Sequence, residues 1–184
     1  MRLAGLLVAL ALSVPAWAGA PAPFPVDIEA RFDLVDQDGA RVSTEDRAGR
    51  PMAIFFGYAN CEAICSVAMP SLAAALDALG ADAELLDAYL VTVDPERDTP
   101  GAMGEKLARW HPRLRGLTGS EVALAEARAA FQVERTVVFK DPEGNPVYAH
   151  GSFIYLIGRD GRVATLLPPI LAPERMAEII RSYL

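Results

Sequence analysis

The sequence predicts an α/β domain with a central mixed sheet and helices on both faces. Three observations predict it. Strand-like and helix-like stretches alternate from residue 28 to the end, which is the pattern of a sheet covered by helices. The run Pro51–Gly57 (PMAIFFG) is apolar without interruption, as suits a strand buried on both faces. Turn and cap residues punctuate the alternation, and 52% of the 184 residues are hydrophobic, enough to fill one core in a chain of single-domain length.

The elements follow in order. Ile28–Val35 alternates and reads as a strand, and Asp36-Gln37-Asp38-Gly39 turns it into a short return strand at Arg41–Ser43. Pro51–Gly57 is the first buried strand. Beyond Cys61 and Cys65, the residues Met69, Leu72, Leu76 and Leu79 recur at helical spacing, and Gly80 ends that helix. Met69 thus lies on the apolar stripe of a helix, where a methionine packs rather than ligates. Leu85–Val93 is a second buried strand. Thr99 is placed as an N-cap with Pro100 at the first helical position, opening a helix that runs to Trp110. Ser120 caps another helix that continues to Ala130. Phe131–Phe139 reads as a strand, Asp141–Pro146 as a turn, Ser152–Ile157 as a strand, and Arg159-Asp160-Gly161 as the turn into Arg162–Leu167. Pro173 opens a last helix.

The first residues carry an export signal. Arg2 is a positive n-region, Leu3–Val14 an apolar h-region, Pro15 a break, and Ala16-Trp17-Ala18 and Ala18-Gly19-Ala20 both fit small-x-small cleavage. The apolar run is short for a membrane span, which needs about 20 residues. The expected organisation is a signal peptide over 1–20, a Pro/Ala linker over 21–27 and one domain over 28–184, with the mature chain starting near Gly19 or Pro21 in the periplasm. The net charge is -7 and becomes -8 without Arg2, and no Lys/Arg run offsets it. Such a chain is not expected to bind nucleic acid.

Two cysteines in an oxidising compartment have three uses: a structural disulfide, a redox pair or a metal site. Cys61-Glu62-Ala63-Ile64-Cys65 is a C-x-x-x-C, with i, i+4 spacing that puts both sulfurs on one side of a helix. The spacing permits a disulfide and also a clamp on a soft or borderline ion such as Cu(I) or Zn(II). A strand, a short loop, two nearby cysteines and a helix is the layout of thioredoxin-like folds. There the sulfurs sit at a helix N-terminus whose dipole favours thiolate. A metal site needs further ligands, and the chain has two histidines, His111 and His150. His111, at the end of a predicted helix, reads as a solvent-facing residue at the helix C-terminus. His150 lies in a loop entering a strand, where a functional and a bland polar role are equally open.

Three segments resemble those of the Sco (SenC) family of copper chaperones. They are Phe55–Cys65 (FFGYANCEAIC), Val93–Pro100 (VDPERDTP) and His150–Ile157 (HGSFIYLI) followed by Asp160-Gly161, in the family's order. The resemblance covers residue 28 to the end. It implies a thioredoxin-like fold and a copper site made of Cys61, Cys65 and His150. It also implies work on the dinuclear copper centre of cytochrome c oxidase, by delivering copper or by reducing cysteines there. Two thiolates and an imidazole suit three-coordinate Cu(I), and a further ligand lets the same set hold Cu(II). The family's proline after each cysteine is Glu62 and Ser66 here, and its acidic residue before the histidine is Ala149.

The expected function is therefore an exported metallochaperone, a binding protein rather than an enzyme. Its expected partners are the copper-centre subunit of the oxidase or another copper enzyme, and a periplasmic copper carrier or thiol reductant. The alternative is a thiol-disulfide oxidoreductase with Cys61 and Cys65 as its redox pair. A peroxidase fits less well, since the first cysteine follows Ala59-Asn60 and lacks the proline-threonine-x-x-cysteine pattern. Asp98 or Thr99 is expected to cap the helix that follows and Arg97 to pair with a nearby carboxylate, while Asp94 ends a buried strand close to the cysteines.

Overall fold

The structure is a computed structural model, and it describes residues 28, 30–47, 49–59, 61 and 65–184. The expected signal peptide and the linker over 21–27 lie outside the described residues. Among the described residues, nine strands and four α-helices follow in the order β1 (Asp33–Asp36), β2 (Arg41–Ser43), β3 (Met52–Gly57), α1 (Cys65–Leu79), β4 (Asp87–Thr92), α2 (Pro100–Ala108), β5 (Leu114–Thr118), α3 (Glu121–Ala130), β6 (Thr136–Lys140), β7 (Pro146–Ala149), β8 (Ile154–Ile157), β9 (Val163–Leu167) and α4 (Pro173–Arg181). A 3-10 turn over Gly80–Leu85 joins α1 to β4.

Seven strands form one sheet in the order β2-β1-β5-β4-β3-β8-β9, while β6 and β7 make a separate two-stranded hairpin. The central strands β3, β4 and β5 are parallel, and the flanking strands are antiparallel, so the sheet is mixed as expected. All six residues of β3 are buried, which explains why they read as an apolar run. Side-chain alternation divides the sheet into two faces. Phe55, Gly57 and, on β5, Gly116 face α1 and α2: a Cβ at Gly57 would meet Cys65, and one at Gly116 would meet Met103 and Leu107. Helix α4 packs on α1. On the other face, Phe56 meets Phe131 at the end of α3 and Tyr155 of β8, with ring centroids 5.2 and 6.0 Å apart. Helices thus cover both faces.

The differences from the sequence expectation are local. Of Ile28–Val35, only the end pairs as β1, although Ile28, Ala30 and Phe32 are buried. Strand β5, to which the sequence pattern assigns no element, lies between β1 and β4. Leu85 belongs to the 3-10 turn, so β4 starts later than Leu85. The segment from Phe131 to Arg135 is not strand; Phe131 is a fully buried core residue, and β6 begins at Thr136. Met69 and Met103 are both fully buried, in keeping with packing.

Candidate metal centre

Strand β3 delivers the chain to the site at Gly57. There Gly57 O accepts from Val93 N at 2.7 Å, locking the strand end to the segment after β4. A turn follows, closed by Cys61 N donating to Tyr58 O at 3.1 Å. Cys65 opens α1 and is buried against Gly57; a Cβ on that glycine would stand 2.8 Å from Cys65 Sγ. The third member arrives from far along the chain. His150 directly follows β7, and its Nε2 lies 3.6 Å from Cys65 Sγ. The ligand atoms of Cys61, Cys65 and His150 all lie within 4.8 Å of one another, and both cysteines are buried thiols outside any disulfide.

The histidine is oriented. Its Nδ1 is 2.9 Å from Gly151 O. A carbonyl only accepts, so that contact places the proton on Nδ1 and leaves the Nε2 lone pair facing the sulfurs. A backbone carbonyl thus does what an outer carboxylate does in other histidine sites, which accommodates Ala149. The ring is walled by Phe55 and Tyr58, with centroids 5.7 and 6.0 Å away and both edge-on. Burial first, then the neighbouring Cys61, pushes the Tyr58 phenol up to about 12, so it stays neutral.

The sulfurs are electrostatically unequal. The Cys65 thiol is pushed well above the ordinary cysteine range, first by its hydrogen bond with Cys61, then by burial and by negative charge on Cys61. The helix-dipole expectation of a readily ionised thiol therefore fails for Cys65: a buried donor to a neighbouring thiolate keeps its proton more firmly than one end-turn of helix can release it. A metal ion held by both sulfurs would take the place of that shared proton.

The segment 94–98 frames the site. Thr99 is the N-cap of α2, accepting from Ala102 N at 3.4 Å. Asp98 does not cap. It is buried and reaches back to the cysteine turn, accepting from Ala59 N at 2.9 Å and from Thr92 Oγ1 at 2.7 Å. Burial raises its pKa, against those two hydrogen bonds. Arg97 pairs with the buried carboxylate of Asp94, as expected. His111 is remote from the site. It is largely covered rather than solvent-facing, its Nε2 lies 3.4 Å from Asp77 Oδ1, and its Nδ1 accepts from Arg113 N.

Sequence reasoning therefore brought the three proposed ligands together but missed Phe55 and Tyr58 as walls and Asp98 as the support of the turn. The aromatic run before Cys61 was a signal for the first two. Nothing local in the sequence marks the reach of Asp98.

Comparison with known proteins shows what the chain is similar to. The family model described as SCO1/SenC matches residues 20–184. A SCO2-like protein of Rickettsia conorii is 30% identical over 158 residues, covering 85% of this chain and 77% of that protein. The mitochondrial SCO2 homolog of Danio rerio is 32% identical over 155 residues, covering 83% of this chain but 56% of the fish protein. The chain thus spans little more than half of that relative. Copper-bound ScoI of Bradyrhizobium japonicum superposes with a TM-score of 0.80 at 34% identity, over 85% of this chain and 99% of that one. BsSco, described as a member of the Sco family of cytochrome c oxidase assembly proteins with a disulfide switch, gives a TM-score of 0.66 at 27% identity over 88% and 96% of the two chains.

Proposed function

The chain belongs to the SCO1/SenC family, and from that premise we propose that it is an exported copper metallochaperone whose Cys61, Cys65 and His150 hold one copper ion for the dinuclear copper centre of cytochrome c oxidase. The observation that carries this reading is the convergence of two sulfurs and one imidazole nitrogen within 4.8 Å. Two soft donors and one borderline donor match Cu(I), and the imidazole supports Cu(II). Copper is cargo here, so the site has to release it as well as bind it. The protein's own part is to shield the sulfurs, aim Nε2 and give up the proton shared by the cysteines.

A second reading shares these atoms. In this reading Cys61 is the nucleophile toward a client disulfide, because the Cys65 thiol is the one pushed up by their shared hydrogen bond and by burial. Its attack forms a mixed disulfide and releases one client thiolate. Cys65 then loses its proton, attacks Cys61 Sγ and releases the second. The client ends reduced and the Cys61–Cys65 pair oxidised, so each turnover needs a dithiol reductant to restore the pair. The disulfide switch described for BsSco favours keeping this reading beside the first. The proposed location is the periplasm, following the N-terminal signal. Among the described residues, no helix is long and apolar enough to cross a membrane.

The test is metal counting on purified, reduced protein. We expect one copper per chain for wild type and loss of tight binding for Cys61→Ala and Cys65→Ala, since the chain has no third cysteine. His150→Ala should weaken Cu(II) binding more than Cu(I) binding. Unchanged affinity in His150→Ala together with loss in His111→Ala would overturn the ligand assignment.

A further inference from the structure

Strand pairing ties β3, which leads into the cysteine turn, to the main sheet, but it does not tie the element that presents His150. The hairpin of β6 and β7 that presents it forms its own two-stranded sheet and pairs with no strand of the other. Side chains must therefore hold the hairpin in place. At its base, Arg135 donates to Tyr148 Oη at 2.8 Å and pairs with Glu121 of α3 at 3.2 Å. At its turn end, the tie comes from Arg97. One guanidinium nitrogen donates to Pro146 O at 2.7 Å, another lies 4.0 Å from Asp141 Oδ2, and Nε pairs with Asp94. The guanidinium carbon also stands 5.6 Å from the centre of the Tyr58 ring, whose edges meet Tyr148 and His150.

Arg97 itself is fixed. Its anchor, Asp94, is buried at 1% exposure and donates through its own N–H to Thr92 Oγ1 at 2.8 Å. Its neighbour Asp98 holds the cysteine turn. One short turn thus grips both halves of the site. Only a guanidinium can reach Asp94, the Pro146 carbonyl and the Tyr58 face together, because its donors fan out in one plane.

We propose that Arg97 is a positioning residue: it docks the β6–β7 hairpin so that His150 Nε2 meets the two sulfurs. It touches no copper and acts only through the histidine, and the proposal rests on the reading that His150 is a ligand. Because the histidine matters most for Cu(II), losing Arg97 should affect the two oxidation states unequally.

The experiment compares Arg97→Gln, Arg97→Lys, His150→Ala and the Arg97→Gln/His150→Ala double variant, using Cu(I) and Cu(II) as separate probes. Arg97→Gln should lower Cu(II) affinity on the order of 10-fold, as losing an outer support does, and broaden the histidine nitrogen signature in the Cu(II) spectrum. Cu(I) affinity should stay near wild type. Arg97→Lys should not rescue Cu(II) binding, since one ammonium cannot serve three partners. In the double variant the Arg97 effect should vanish, since there is no histidine left to position. In the copper-free protein, amide exchange at 146–151 should quicken in Arg97→Gln while β3 and β4 stay protected. Wild-type Cu(II) binding in Arg97→Gln, equal losses for both oxidation states, or additive losses in the double variant would each overturn the proposal. If His150→Ala itself leaves Cu(II) binding unchanged, the ligand reading fails instead, and the two failures are distinct.

Discussion

Gly57 carries a tight constraint on the metal centre although it offers no side chain. A Cβ there would lie 2.8 Å from both Cys65 Sγ and Phe55 Cε1 and 3.2 Å from Leu90 Cδ1. All three neighbours are buried, so none can swing away without disturbing the core. Gly57→Ala should therefore cost about 1–3 kcal/mol, as overpacking does, and should displace the sulfur and weaken copper binding as well. Denaturant unfolding and a copper titration of the same variant would check both. The residues of the centre were unequally legible. Cys61, Cys65 and His150 are chemically distinctive types in a recognisable arrangement. Asp98 was not legible in its real role, because Ala59, its partner, is 39 residues away. A carboxylate beside a threonine N-cap looks like another cap until the fold brings the cysteine turn to it.

At the scale of elements, Asp36 joins the β1–β2 turn to β5. It accepts from Asp38 N and Ala40 N at 2.9 Å and pairs with Arg115 at 2.7 Å. Burial works against its ionisation, but the Arg115 guanidinium and the two N–H groups outweigh it and hold its pKa below the usual aspartate value. The sign follows. Its stabilisation is fully present above the unfolded pKa of about 3.9 and is lost as pH falls through the lower folded value. Asp36→Asn should thus cost about 1–3 kcal/mol at neutral pH, and the gap from wild type should close as the pH drops below about 4. Urea melts at several pH values would measure this; a gap constant with pH would contradict it. The buried strands and capped helices were legible because their patterns are local. Strand β5 was not, because Leu114–Thr118 carries Arg115 and Gly116, and the glycine answers to α2: a Cβ there would stand 2.7 Å from Met103 Cε. Of the hairpin, a strand overlapping β6 and its turn were legible, but the start of β6 and the whole of β7 were not, since neither strand has a buried face to impose an alternation.

At the scale of the molecule, the three proposed ligands come from a turn, a helix start and a hairpin end, and the sheet with its 94–98 turn brings them together. A Cys61–Cys65 disulfide would remove two of the three proposed donors at once, so we predict that copper loading requires the reduced pair and that bound copper protects the thiolates from oxidation. The most direct test is copper X-ray absorption on the reduced, Cu(I)-loaded protein, on the same protein after mild oxidation to the disulfide, and on His150→Ala. The account predicts two sulfurs and one imidazole nitrogen around copper in the reduced wild type, loss of the imidazole contribution in His150→Ala, and no specifically bound copper in the oxidised form. A nitrogen contribution unchanged in His150→Ala, or equal copper binding by the oxidised and reduced proteins, would contradict it.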